Sequence, residues 1–238
     1  MDKLLKQIGG SIQQELTNKL LLASRASTFN KETFFTLENL NRIFDGSITK
    51  PAITSEWDGD NNLADRITWA ITKPPKITKK IGTTIGKQKV EAQKLEKEWG
   101  NTMIGQTNNG QWTTLLGEGL VYDVLKKLGE NPVKVQKRNG FEPDWETDNY
   151  MYEVKTRNWN VSGTAGEKVL GTWIKYQSIP EIYGKPLRIV CVGFQEWELT
   201  HGKTKYFGDT TCKTQQLLDI SRSWGITYMK FSELVDKL

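Results

Sequence analysis

Three ionisable residues in the middle of the chain have types and spacing that suit metal-assisted chemistry. Asp144 precedes a turn at Asp148-Asn149, and Glu153 and Lys155 follow that turn. Side chains alternate along a strand, so Glu153 and Lys155 project from the same face. A hairpin through the turn would bring Asp144 beside Glu153, so that two carboxylates and one ammonium converge. Neighbouring carboxylates repel unless a cation neutralises them, and their oxygens are ligands that suit Mg²⁺.

Hydrophobic periodicity predicts the elements that must position these residues. Tyr152 and Val154 should pack on the face of their strand opposite Glu153 and Lys155. Helices are predicted from Ile12 to Ala23, Lys31 to Phe44, Asn62 to Ile71, Gly86 to Trp99, Trp112 to Leu128, Gly166 to Tyr183, Thr214 to Trp224 and from Phe231 onward. Strands are predicted at Val133–Gln136, Phe141–Trp145, Tyr150–Lys155, Leu187–Gly193 and Ile226–Met229. We therefore expect an α/β (α+β) fold with a central mixed sheet flanked by helices.

The same pattern suggests two regions. Residues 1–105 form a helical N-terminal region for DNA binding or assembly, and residues 106–238 form the core that carries the sheet. The two could equally be one continuous domain.

The residues Pro143-Asp144 and Glu153-Val154-Lys155 resemble the signature of the PD-(D/E)XK nuclease superfamily, with the two acids nine positions apart. The resemblance extends over about Trp112 to Val192, where the order of elements is also similar. It implies that Asp144 and Glu153 bind Mg²⁺ with the backbone carbonyl of Val154, and that Mn²⁺ can substitute. It further implies that Lys155 orients or deprotonates the attacking water, giving 5′-phosphate and 3′-hydroxyl ends.

Glu118 is a further candidate catalytic residue. On the helix predicted from Trp112 to Leu128, it stands beside apolar residues rather than on the most polar face. The family pattern places an acid on this helix near the metal. The alternative is a half-exposed structural glutamate between Gly117 and Gly119, and the sequence leaves both interpretations open.

Two segments are candidates for DNA contact. The stretch after the strand of Glu153 combines polar side chains that can hydrogen-bond to base edges, an aromatic side chain that can stack on a base, and a turn that leads into a helix. Its candidate residues are Arg157, Asn158, Trp159, Asn160, Thr164 and Lys168. The chain from Arg66 to Val90 has no acidic residue, and it holds the candidate phosphate contacts Lys73, Lys76, Lys79 and Lys80. The alternatives are a polar loop capped by Thr164 and a solvated linker.

Composition excludes several classes of protein. The 238 residues are 37% hydrophobic and carry a formal net charge of +5. No apolar run is long enough for a membrane span or for the apolar core of a signal peptide. We therefore expect a cytoplasmic protein without a membrane partner. Cys191, Cys212 and the single His201 cannot form a disulfide framework or a four-ligand zinc site. His201 lies in a turn-like stretch, which argues against histidine chemistry. No phosphate-binding GxxxxGK[ST] loop occurs, so no nucleotide cofactor is expected.

A small chain with this signature resembles type II restriction endonucleases, encoded by a bacterium or a virus. That resemblance implies double-stranded DNA as the partner, a short palindromic site and a possible homodimer on DNA. A structure-selective repair nuclease or resolvase of the same superfamily is the alternative enzyme. A DNA-binding module without catalysis is the alternative from another class.

If Lys73, Lys76, Lys79 and Lys80 contact the phosphate backbone, replacing all four by glutamine should weaken binding to specific and random duplexes about equally. Phosphates carry no sequence information, so specificity should be retained. The slope of log affinity against log salt should flatten by roughly one per lysine removed. A salt titration of binding to both duplexes measures this, and an unchanged slope would indicate a solvated linker instead.

Overall fold

Five strands form one mixed sheet in the part of the chain described by the computed structural model, residues 63–71, 85–107, 109–160 and 167–238. The strands are β1 (Val133–Lys134), β2 (Trp145–Glu146), β3 (Met151–Arg157), β4 (Leu187–Gly193) and β5 (Ile226–Lys230), adjacent in that order. The β1–β2 and β2–β3 pairs are antiparallel, whereas β3–β4 and β4–β5 are parallel. The predicted mixed sheet and α/β class are confirmed.

Helices supply the connections that parallel strands require. The described helices are α1 (Leu63–Ile71), α2 (Ile85–Met103), α3 (Trp112–Lys127), α4 (Glu167–Leu170), α5 (Thr172–Lys175), α6 (Ile179–Tyr183), α7 (Phe194–His201), α8 (Cys212–Ser223) and α9 (Phe231–Val235). Helices α4 to α6 connect β3 to β4, and α7 and α8 connect β4 to β5. None of the helices in the described ranges is long and apolar enough to cross a membrane.

Two hydrophobic clusters cover the two faces of the sheet. One contains Tyr152 and Val154 of β3 together with buried residues of α1, α2, α3 and α9. The other contains Met151 of β3 with buried residues of α5, α6 and α8. Because side chains alternate along β3, Glu153 and Lys155 lie on the Met151 side, as the sequence predicts.

Helices α1 and α2 belong to the same core as α3, across the boundary predicted at residue 105. The indole rings of Trp69 in α1 and Trp99 in α2 have centroids 5.7 Å apart. Trp69 also contacts Trp112, the first residue of α3, edge to face at 6.1 Å. Ala92 of α2 is buried in the same cluster. The helices predicted at Ile12–Ala23 and Lys31–Phe44 lie outside the described residues.

The strand predicted at Phe141–Trp145 is wrong for most of its length, since β2 contains only Trp145 and Glu146. Phe141 instead exchanges two backbone hydrogen bonds with Arg138, of 2.8 and 3.0 Å. Pro143 has no amide hydrogen for a ladder. Pairing with β3 therefore begins at Asp144, whose N–H donates to Tyr152 O at 2.9 Å.

Two further local predictions are corrected. The single helix predicted from Gly166 to Tyr183 is three short helices, because Gly171 separates the first two and Pro180 lies in the first turn of the third. His201 is the last residue of α7 rather than part of a turn, and Gly202 ends that helix. The other predicted elements in the described ranges agree with the structure to within a few residues.

Helix α3 crosses β3 closely at Gly117. A Cβ at this position would lie 1.6 Å from Thr156 Oγ1 and 2.7 Å from its Cβ, so any side chain there would force the helix and the strand apart. Gly119, on the same helix, has open space: the nearest atom to its Cβ position is Arg66 Nη1 at 3.9 Å. The absence of a side chain at Gly117 thus sets the distance between Glu118 and the strand that carries Glu153.

Gly117→Ala should destabilise the protein by about 1–3 kcal/mol, because overpacking displaces buried groups that cannot relax freely. Gly119→Ala is the matched control in the same helix. It should be neutral or stabilising by up to about 1 kcal/mol, since alanine is the better helix former. Urea unfolding of both variants measures the difference, and equal stabilities would contradict the close packing.

Candidate functional site

Asp144 lies against β3 through two hydrogen bonds. Its backbone N–H donates to Tyr152 O, and its side-chain Oδ2 accepts from the N–H of Val154 at 2.7 Å. The second bond turns the carboxylate towards the strand position between Glu153 and Lys155. The turn after β2 therefore brings the two predicted carboxylates together.

Glu153 is almost fully buried, with 4% of its surface exposed. Its Oε1 accepts a hydrogen bond from Lys155 Nζ, and the two side chains form an ion pair. Its Oε2 is buried and has no hydrogen-bond partner among the described residues. An unpaired buried carboxylate oxygen is costly, so this atom is in need of a cation or a donor from outside the chain.

The charges around Asp144 favour its protonated form. Burial, followed by the negative charges of Glu153 and Glu118, raises the pKa of Asp144 to about 8. The Val154 N–H and the Lys155 ammonium act in the opposite direction but do not outweigh the burial. A bound cation would reverse this balance by stabilising both carboxylates in their charged forms.

Glu118 is near the pair. Its carboxylate is 18% exposed, and Oε2 lies 3.3 Å from Lys134 Nζ. Its backbone carbonyl accepts a hydrogen bond of 3.0 Å from the indole of Trp145, which ties α3 to β2. In the described ranges, no group of three or more His, Cys, Asp or Glu residues is arranged to hold a metal ion. Glu118 therefore adds negative charge near Asp144 and does not complete a three-carboxylate cluster.

Sequence reasoning missed Tyr176 and Lys175 at this site. Tyr176 directly follows α5, and it is 7% exposed. Burial first, and then the neighbouring Glu153 carboxylate, raises the pKa of Tyr176, so its hydroxyl stays protonated. Lys175 Nζ donates to this hydroxyl at 3.2 Å. The prediction of one continuous helix gave no signal that Tyr176 would be buried on this side of the sheet.

Glu96 of α2 was also missed, and it holds the chain that leaves β3. It is 1% exposed, and its carboxylate accepts hydrogen bonds from the backbone N–H groups of Trp159 at 2.8 Å and Asn160 at 2.9 Å. The indole of Trp69 donates to the same carboxylate at 3.0 Å. Burial raises the pKa of Glu96, against the effect of these donors. Nothing in a polar amphipathic helix distinguished this glutamate from its exposed neighbours.

Several predicted DNA-contact residues have packing roles in the structure. The indole of Trp159 is 8% exposed and donates to Trp69 O at 2.8 Å. The side-chain amide of Asn160 donates to Glu96 at 3.0 Å, and that of Asn158 lies 3.5 Å from the same carboxylate. Arg157 is buried and forms an ion pair with Glu198. DNA contact by these residues stays a prediction.

The remaining candidates fall outside what the structure describes. They are Lys73, Lys76, Lys79, Lys80, Thr164 and the side chain of Lys168. Comparisons with protein-family models, with curated proteins and with solved structures find no match for this chain.

Asp144→Asn should stabilise the protein at alkaline pH in the presence of EDTA. With its pKa raised to about 8, the folded wild-type carboxyl keeps a proton that the unfolded chain releases near its ordinary pKa of about 4. Wild-type stability should therefore fall between about pH 4 and pH 8 and then level off. The asparagine variant, whose amide oxygen can still accept from Val154, should lack that part of the fall.

The comparison is made by urea unfolding between pH 5 and pH 9. Asp148→Asn, in the exposed turn, is the control and should follow the wild-type profile. An Asp144→Asn profile parallel to that of the wild type would contradict the raised pKa.

Proposed function

We propose that this protein is a Mg²⁺-dependent, site-specific deoxyribonuclease of the type II restriction kind, with a PD-(D/E)XK core. The observation that carries the proposal is that Asp144, just before β2, lies beside Glu153 and Lys155 of β3. The Asp144 side chain is bound to the Val154 amide, and Lys155 is paired with Glu153. An acidic pair that can hold a metal ion, beside a lysine that can contact a phosphate, suits metal-assisted phosphodiester hydrolysis.

The donor set fits Mg²⁺. The ion is commonly held by one or two carboxylates and keeps several waters, so a three-carboxylate cluster is not required. The unpartnered Oε2 of Glu153 and the Asp144 carboxylate would be its side-chain ligands, with the Val154 carbonyl as the backbone ligand that the resemblance implies. Mn²⁺, which accepts similar oxygen ligands, is expected to substitute.

When bound, Mg²⁺ would polarise the scissile phosphate and offset the charge that develops in the transition state. The Lys155 side chain is 31% exposed, so its ammonium can reach a phosphate of DNA bound at the surface. The ion pair with Glu153 fixes the direction in which the Lys155 side chain points. We assign Lys155 to orienting the attacking water and donating to a phosphate oxygen. The attacking water loses a proton to solvent as its oxygen bonds to phosphorus, and the bond from phosphorus to the 3′ oxygen breaks. The 3′ oxygen takes up a proton from solvent, leaving a 5′-phosphate and a 3′-hydroxyl.

The proposed partner is double-stranded DNA. A net charge of +5 and the acid-free stretch from Arg66 to Val90 support a polyanionic ligand. A palindromic site presents two equivalent strands, and a homodimer would place one active site on each. We place the enzyme in the cytoplasm of a bacterium or of a cell that carries a virus.

Lys155→Ala should reduce cleavage by at least about 100-fold while DNA binding is retained, because the lysine serves the water and the phosphate rather than base recognition. Lys185→Ala is the matched control: Lys185 is also partly buried and paired with a glutamate, Glu146, outside the acidic site. Cleavage is measured on plasmid DNA and binding by gel shift in Ca²⁺. Loss of binding with an intact circular dichroism spectrum would contradict the role given to Lys155.

Digestion of phage DNA with and without Mg²⁺ tests the proposed function itself. Discrete fragments that require Mg²⁺, and that disappear in Asp144→Ala and Glu153→Ala, are the expected result. Smeared products or cuts only at branched DNA would indicate a repair nuclease or resolvase. A gel shift without cleavage would indicate a DNA-binding module.

A further inference from the structure

A short basic hairpin, residues 136–141, lies just before Asp144 in the chain. Its first five residues are exposed, and residues 131–141 include no Asp or Glu. Lys137, Arg138 and Asn139 carry ammonium, guanidinium and amide donors, which are the groups that proteins use on phosphates and on base edges. The candidate residues 157–160, by contrast, use their side chains in contacts within the protein. The donors of the basic hairpin face solvent instead.

The tip of the basic hairpin has a defined backbone conformation. Arg138 and Phe141 exchange two backbone hydrogen bonds, of 2.8 and 3.0 Å, and enclose only Asn139 and Gly140. These two residues have positive φ angles of 51° and 85°. Tight two-residue hairpin turns require such angles, and Asn-Gly is the pair that adopts them most readily. The tip is therefore shaped before any ligand binds.

Tyr183 anchors the basic hairpin to the protein. Its hydroxyl oxygen accepts from the Arg138 N–H at 3.2 Å and lies 2.8 Å from Phe141 O and 2.9 Å from Gln136 O, which are its acceptors. The Arg138 guanidinium lies 4.9 Å from the centroid of the Tyr183 ring. This stacking uses the face of the guanidinium and leaves its in-plane N–H donors available. Phe141 also packs edge to face on Tyr176, with centroids 6.2 Å apart.

The basic hairpin is placed beside the acidic site. Its anchors pack in the hydrophobic cluster of Met151, on the side of the sheet that carries Glu153 and Lys155. Asn139 at the tip is five positions from Asp144, so the two lie at most about 18 Å apart. The major groove of DNA is about 12 Å wide and about 8.5 Å deep, and it admits a two-stranded ribbon. With a phosphate at Asp144, the tip can therefore reach base edges in the adjoining groove.

We propose that the basic hairpin reads DNA sequence: Arg138 and Asn139 contact base edges in the major groove, and Lys137 contacts the phosphate backbone. The inference rests on the proposed function, because it needs double-stranded DNA bound at the acidic site. Arginine pairs with the O6 and N7 atoms of guanine, and asparagine with the N6 and N7 atoms of adenine. The recognised sequence is therefore expected to contain a guanine and an adenine.

The experiment selects duplexes from a random-sequence library with the full-length protein, in Ca²⁺ without Mg²⁺, and sequences those that are bound. The wild type should enrich one motif. Arg138→Gln should lose the preference at a guanine of that motif, and Asn139→Gly the preference at an adenine. Glycine suits the positive φ at this position, so the second variant removes the amide and keeps the turn. Circular dichroism should be unchanged in both variants.

Arg222→Gln is the matched control. Arg222 is an exposed arginine of α8, which packs on β5, at the edge of the sheet opposite β1. This variant should enrich the motif of the wild type with every preference intact.

Binding affinities supply a second measurement. Arg138→Gln and Asn139→Gly should each bind the enriched duplex about tenfold or more weakly than the wild type, while binding to a random duplex changes much less. Lys137→Gln should weaken binding to both duplexes about equally, because phosphates carry no sequence information.

The outcomes separate this inference from the proposed function. Arg138→Gln and Asn139→Gly variants that enrich the wild-type motif with unchanged preferences would overturn the role of the basic hairpin and leave the proposed function standing. Relaxed preferences in a protein that does not cleave DNA in Mg²⁺ would support the hairpin and overturn the nuclease. A wild type that enriches no motif would overturn both.

Discussion

The carboxylates of half-buried Asp144 and buried Glu153 lie close together, and the groups around them offset their mutual repulsion only in part. The Val154 amide and the Lys155 ammonium stabilise negative charge, but burial and the neighbouring acids still raise the pKa of Asp144 to about 8. Such an arrangement does not favour stability, since an apolar or amide side chain at either position would cost less free energy. Strongly shifted groups that converge are instead typical of sites that bind ions or carry out chemistry.

The mixed sheet makes this juxtaposition possible. Asp144 precedes β2 by one residue; its backbone N–H bonds to Tyr152 O, and its side chain takes up the Val154 N–H. The strand that carries Glu153 is central, paired antiparallel on one side and parallel on the other. Tyr152 and Val154 are buried on the opposite face, which fixes the strand's register, because a shift of one residue would place the charged side chains in the core.

The sequence predicted the parts of the site that depend on local geometry. Strand alternation and a short turn were enough to place Asp144 near Glu153 and to direct Lys155 to the same face. It could not predict the position of Tyr176, because the helix that was expected to carry it is broken at Gly171 and again between Lys175 and Ile179. Nor could it predict that Trp159 is enclosed by α1, since that packing joins residues 90 positions apart. Contacts of this kind depend on tertiary packing, which one-dimensional periodicity does not encode.

The buried carboxylate of Glu96 has a consequence for how far the chain can be divided. A fragment that began at residue 106 would contain all three residues assigned to the chemistry, yet it would lack the acceptor of the Trp159 and Asn160 amides. Those amides would be left without partners at the end of β3, and the Trp159 indole would lose both the side chains that cover it and its acceptor, Trp69 O. The smallest unit able to fold around this strand therefore includes α1 and α2. These helices precede the sheet in sequence, but they belong to the same folding unit as the sheet.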